Sequence, residues 1–247
     1  VSTQSTGKII MQLLFNILEI EENLIPEEKY GLKCPNEMHI PEFITIHNTD
    51  EDRSSWFEIN NIVTSSFSTS FHFAVDHQQV WQGVPLNRNA WHAGDGGRGP
   101  GNRKSVAIEI CYSWSGGARY YAAESKAALL TAYLMHKFNI PIANVKQHFD
   151  WSGKHCPRRI RDENRWEAFL KTAQKNYEDY LPENVAKREE QEKQRHQNTV
   201  IIISATVSGF VAMVVGGVVL AIVLRNKKQK KTQIEMMQLT IGQNEEK

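Results

Sequence analysis

The sequence predicts an α/β domain built on a central sheet, followed by one C-terminal transmembrane helix. Three observations carry this expectation. Short segments rich in β-branched and aromatic residues alternate with longer segments whose apolar residues recur at helical spacing. A glycine-rich loop, Asn87–Lys104 (NRNAWHAGDGGRGPGNRK), interrupts that alternation, and long loops on a rigid scaffold usually carry function. Near the C-terminus, Val200–Leu224 runs 25 residues without a charge, whereas about 20 apolar residues suffice for a helix to span a bilayer.

In chain order, Phe43–Asn48 (FITIHN), Ser70–Asp76 (SFHFAVD), Gln79–Val84 and Ser105–Cys111 (SVAIEIC) have strand composition. Arg53–Thr64 is expected to be helical, with Trp56, Ile59 and Val63 on one face. Ala122–Asn139 is expected to bury Leu129, Leu130, Tyr133, Leu134 and Phe138, and to stop before Pro141. Asp162–Leu181 starts with two acids, which suit a helix N-terminus, and lines up Trp166, Phe169, Leu170, Ala173 and Tyr177. Ile9–Leu18 reads as a buried N-terminal segment; the other reading, a signal-peptide core, lacks a small-residue cleavage site. The expected organisation is an N-terminal segment (1–19), a folded domain (20–182), a charged stalk (183–199), a transmembrane helix (200–224) and a basic, polar tail (225–247).

Formal net charge is +1 over 247 residues, which removes any bulk electrostatic case for nucleic acid. Three cysteines, Cys34, Cys111 and Cys156, are too few and too odd a number for a disulfide framework.

The candidate chemistry lies at three places. His47 ends a strand, where a side chain is both rigid and accessible; taken alone it reads first as an ordinary histidine. His148 and Cys156 flank a loop containing Gly153 and Pro157, and a loop can bring the two to one metal. Two histidines and one thiolate are a recurrent catalytic zinc set that leaves a fourth position open. The chain has no CxxC pair of the kind closed structural sites use. Glu109 sits mid-strand on one face with Ser105, Ala107 and Cys111. It is either a solvent-facing edge residue or a buried carboxylate that needs a partner.

Over Tyr30–Ile160 the sequence resembles the N-acetylmuramoyl-L-alanine amidase type 2 family of phage endolysins and autolysins, related to T7 lysozyme and the peptidoglycan recognition proteins. The matching pieces are ITIHNT (44–49), SFHFAVD (70–76), WQGVPLNRNAWHAGDG (81–96), GNRKSVAIEIC (101–111) and QHFDWSGKHCP (147–157), in the family's order. WHAGDG and IEIC point to the Bacillus phage type. The resemblance implies a central mixed β-sheet flanked by helices. It implies Zn²⁺ held by His47, His148 and Cys156, Lys154 as catalytic lysine and Glu109 beside the attacking water. It implies hydrolysis of the amide between N-acetylmuramic acid and L-alanine in peptidoglycan. One departure is Phe71, where many relatives carry tyrosine; the endolysin branch lacks that phenol and uses the glutamate. Trp91, His92, Asp95 and Arg98 of the glycine-rich loop are expected to wall the substrate groove. Cys34 and Cys111 are expected to bind no metal, with a disulfide between them left open.

The same fold can serve as a peptidoglycan receptor without zinc when the thiolate ligand is replaced, and Cys156 argues against that reading. A membrane-anchored scaffold with a vestigial site is a further rival, opposed by the intact ligand set. Five Lys/Arg follow the apolar run within Arg225–Lys231, which favours a cytoplasmic tail and a domain on the outer or lumenal side. The bilayer would then be a partner through 200–224. Ser204, Ser208, Ala212 and Gly216 form a small-residue stripe that suggests weak homodimerisation.

Overall fold

The structure is a computed structural model that describes residues 12, 14, 16–38, 40–199, 218, 220–225 and 227–228. The chain divides into two compact units, Val1–Val185 and Ala186–Lys247.

The first unit is built on strands β1 (Ile20–Glu22), β2 (Phe43–Asn48), β3 (Phe73–Val75), β4 (Val80–Gln82), β5 (Ser105–Ile110) and β6 (Val145–Gln147). They form one sheet in the order β1-β4-β3-β5-β2-β6. The sheet is mixed: β3 and β4 run antiparallel and every other neighbouring pair is parallel. The helices are α1 (Tyr30–Lys33), α2 (Ser55–Thr64), α3 (Pro100–Lys104), α4 (Gly117–Phe138), α5 (Phe149–Ser152), α6 (Arg158–Asp162) and α7 (Trp166–Asp179).

The two central strands are buried on both faces. Ile44, Ile46, Val106, Ile108 and Ile110 are sealed on one face, and Thr45, His47 and Ala107 are buried on the other. Helix α4 packs on one face through Tyr120, Ala123, Ala127, Leu130 and Leu134, and α7 packs on α4 through Phe169 and Ala173. Leu14 and Leu18, which precede the expected domain boundary at residue 20, belong to the same core.

Three expected elements differ in detail. Helix α2 buries Ser55, Ile59 and Ile62 and leaves Trp56 and Phe57 exposed. Apolar residues occur all round this helix, so periodicity alone assigned its inner face one position off. Asp162 and Glu163 do not open the last helix. They close α6, Asn164 turns through a left-handed conformation (φ 52°), and α7 starts at Trp166. Glu163 is instead paired with Arg159 and Arg165. The loop after His148 contains a helical turn, α5, that ends at Gly153 with φ 75°.

Beyond Leu181 the chain is helical over 182–199 and at residues 218, 220–225 and 227–228. The expected single-pass membrane placement is corrected here. Among the described residues no helix is long and apolar enough to cross a membrane. The longest helix of the core, α4, carries Arg119, Glu124, Lys126 and Lys137, and the helical stretch 182–199 is dense in charge. Most of the apolar run, 200–217 and 219, lies outside the described residues, as does the small-residue stripe. The outward-facing topology falls with that placement, and the bilayer partner and the helix-mediated dimer rest on residues outside the described ones.

Candidate metal centre and catalytic groove

Three neighbouring strands deliver the site. His47 and Glu109 lie directly opposite each other in the parallel pairing of β2 with β5. On the other side of β2, β6 ends at Gln147, and the His148 amide donates to the Ile46 carbonyl (3.3 Å). The chain then makes α5, reverses at Gly153 and returns, so that the Phe149 amide donates to the Cys156 carbonyl (3.0 Å). This brings Cys156 Sγ to 3.7 Å from His47 Nδ1. His148 Nδ1 lies 3.0 Å from His47 Nδ1. One ligand atom from each of His47, His148 and Cys156 falls within 4.8 Å of the others, and all three residues are buried.

The chemistry of this donor set fits a zinc ion. Burial, then His92, His148 and Lys154, holds His47 well below its ordinary pKa. Burial and Lys154 push His148 down to about 4. Both imidazoles are therefore neutral at pH 7, the form that ligates metals. Two facing Nδ1 atoms at 3.0 Å can share only one proton, whereas a cation uses both lone pairs. Burial, and secondarily Glu109, raises the Cys156 thiol to about 12, so metal binding would release its proton. Cys34, Cys111 and Cys156 are all free and buried, with no Cys34–Cys111 bridge.

Glu109 is largely buried, with Oε1 3.8 Å from His47 Nδ1. Its Oε2 is buried without a hydrogen-bond partner. Burial, then repulsion by Glu58, raises its carboxyl to about 8, against the pull of Lys154. Lys154 is half exposed and lies 3.6 Å from Asp50.

These residues sit at the floor of an open groove of about 950 Å³. Trp91 lines it, with its ring N–H donated to the Leu32 carbonyl (3.1 Å). Phe67, Phe71, Asn61 and Glu58 also line it; sequence reasoning placed none of the four in a substrate groove. Burial raises Glu58 to about 7. The only signal for Glu58 is its place beside Ile59 on the inward side of α2, which is visible once the helix phase is known.

His92 lines the groove as well; Asp95 and Arg98 are placed differently. Asp95 accepts from the Gly101 amide (2.7 Å) and the Asn102 amide (3.1 Å), and Asn102 Oδ1 accepts from the His92 and Ala93 amides (both 2.8 Å). Asp95 and Arg98 are not among the groove-lining residues, and Arg98 is exposed. His92 is buried and its Nδ1 lies 3.0 Å from His47 Nε2. Gly101 is required for this arrangement, because a Cβ there would lie 2.6 Å from Ala93 Cβ and 2.8 Å from the Trp151 ring. Asn48 was also missed: its amide donates to Cys156 Sγ (3.5 Å) and its Oδ1 accepts from the Arg159 amide (2.9 Å), tying the end of β2 to the Cys156 loop.

The family model for N-acetylmuramoyl-L-alanine amidase matches residues 37–159, the stretch that holds every residue of this centre. The chain belongs to this family. The amidase domain is 55% identical over 150 residues to the N-acetylmuramoyl-L-alanine amidase XlyB of Bacillus subtilis (strain 168), a match covering 61% of this chain and 47% of that protein. It is 55% identical over 149 residues to CwlA of the same organism, covering 60% and 54%. The structure of PlyL superposes with a TM-score of 0.61 at 50% identity, covering 62% of this chain and 96% of that one. The chain thus spans about half the length of the curated relatives it matches, while the solved domain is covered almost whole.

Proposed function

We propose that this amidase domain is a zinc-dependent hydrolase cutting the amide bond between N-acetylmuramic acid and the L-alanine of the peptidoglycan stem peptide. The observation that carries the reading is the convergence of His47, His148 and Cys156 with the unpartnered Glu109 Oε2 at the floor of one groove. His47, His148 and Cys156 would hold the ion. When bound, zinc supplies a Lewis acid and renders water acidic near neutral pH. Its charge also favours the ionised form of the neighbouring Glu109.

The chain's own residues divide the remaining work. Glu109 takes the proton of the attacking water at its free oxygen and returns it to the departing alanine nitrogen. Lys154, which lines the groove, offers N–H donors to the oxyanion that forms when the carbonyl is attacked. Its salt bridge to Asp50 is exposed and weak, so the ammonium can leave it for substrate. Trp91, Phe67 and Phe71 offer apolar surface to sugar or peptide along the groove.

Digestion of purified peptidoglycan with mass spectrometry of the new termini tests the reading. New L-alanine amino termini, lost on chelation and restored by zinc, are the expected result. Binding without new termini would favour a receptor of the same fold.

A further inference from the structure

His92 forms no part of the ligand triad, yet it is the residue behind His47. Its ring stands edge-on to the His47 ring, with centroids 5.1 Å apart, and its Nδ1 lies 3.0 Å from His47 Nε2. One of these two nitrogens must carry the proton between them. The surroundings of His47 decide which. His47 Nδ1 faces both His148 Nδ1 (3.0 Å) and Cys156 Sγ (3.7 Å), so an ion held between the three takes its lone pair. The proton of the neutral His47 ring then sits on Nε2. The atom within reach of that proton is His92 Nδ1, which must accept it, and the His92 proton sits on the buried Nε2.

We infer that His92 is a positioning residue for the metal centre: it accepts the His47 Nε2–H and thereby fixes the ring and tautomer that present Nδ1 to the ion. The inference rests on the zinc reading proposed above. Such outward hydrogen bonds orient ligating histidines and raise their basicity. The backbone of His92 is itself held, since Asn102 Oδ1 accepts from both the His92 and Ala93 amides and Asp95 holds Asn102. Gly94 of the same loop lies against His148, where a Cβ would be 3.5 Å from His148 Nε2. The loop at 91–96 therefore backs two of the three ligands, and His92 acts on the metal centre through His47.

A pair of variants of one shape separates this role from packing. In His92→Asn the side-chain oxygen falls where Nδ1 stood and can still accept; His92→Leu has the same branching and no acceptor. Zinc affinity is read by competition with a chromophoric chelator. The His47 Nε2 proton is read in the ¹H–¹⁵N spectrum of the zinc-loaded protein, and circular dichroism of the metal-free variants confirms the fold. His92→Leu should weaken zinc binding about 10- to 100-fold and lose the slowly exchanging His47 ring N–H signal. His92→Asn should keep both close to wild type. Equal zinc affinity in wild type and His92→Leu would overturn the inference and leave the zinc reading intact. A folded His92→Asn as weak as His92→Leu would also overturn it, because shape and not the acceptor would then be at work. A wild-type protein that binds no zinc would remove the zinc reading itself.

Discussion

Replacing Glu109 with Gln probes the groove floor through stability before activity is measured. Glu109 is only 15% exposed, its Oε2 has no partner, and burial raises its carboxyl from 4.5 to about 8. A carboxyl whose pKa is higher folded than unfolded binds its proton more tightly in the native state. The stability that this proton confers is whole below about pH 4.5, falls as pH rises towards 8, and is gone above it. At 1.36 kcal/mol per pH unit, the window from 4.5 to about 8 corresponds to a ceiling of about 5 kcal/mol. Water entering from the open groove reduces this to roughly 2–3 kcal/mol. Glutamine keeps the shape and never ionises. Metal-free Glu109→Gln should therefore be about 2–3 kcal/mol more stable than metal-free wild type at high pH, roughly 5–10 °C in Tm. The gap should narrow as pH falls and close at about pH 4.5. Urea titration of both chelated proteins across that range measures it. Adding zinc should reverse the order, since the cation stabilises the carboxylate and not the amide. A gap of the same size at both ends of the pH range, or none at either, would refute the claim that the buried carboxyl titrates where its surroundings place it.

Three further outcomes follow from the same geometry. Turnover of peptidoglycan by Glu109→Gln should fall about 10²- to 10⁴-fold with zinc content unchanged; near-normal turnover would move the proton transfer to another group. Cys156→Ser should lose zinc on dialysis against a chelator while keeping a native circular dichroism spectrum, and retained zinc would refute the ligand assignment. Gly101→Ala should cost about 1–3 kcal/mol in urea denaturation, because its methyl group must displace Ala93 or the Trp151 ring; an unchanged midpoint would mean that the loop yields at no cost.

The sheet was legible because its inner strands are short, apolar and β-branched, and Phe43–Asn48 matches the observed strand end to end. The edge strands were not. Ile20–Glu22 carries two glutamates and Val145–Gln147 a lysine, since an edge strand three residues long needs no apolar pattern of its own. His47, His148, Cys156 and Glu109 could be named because motifs around each resemble the amidase family in order; from the residues alone each kept an ordinary reading beside the functional one. The roles expected of Asp95 and Arg98 rested on their lying in a glycine-rich loop. Their positions depend on backbone amides at Gly101 and Asn102, which leave no mark in side-chain patterns. The distinction between His92 as groove wall and as support for His47 likewise turns on which ring nitrogen faces which neighbour, a question of register across three separate segments.

His47, Glu109 and His148 stand on adjacent strands or at their ends, so their spacing is that of the sheet ladder itself. The ladder around β2 is buried on both faces, and such hydrogen bonds open only when the whole domain opens. The half of the centre formed by His47 and Glu109 therefore has no soft mode of its own through which to lose its shape, whereas Cys156 and Lys154 ride on the loop after Gly153. Amide hydrogen exchange at Ile46, Ile108 and Ile110 should proceed at the rate of global unfolding, and any loss of the site before the fold should begin in that loop.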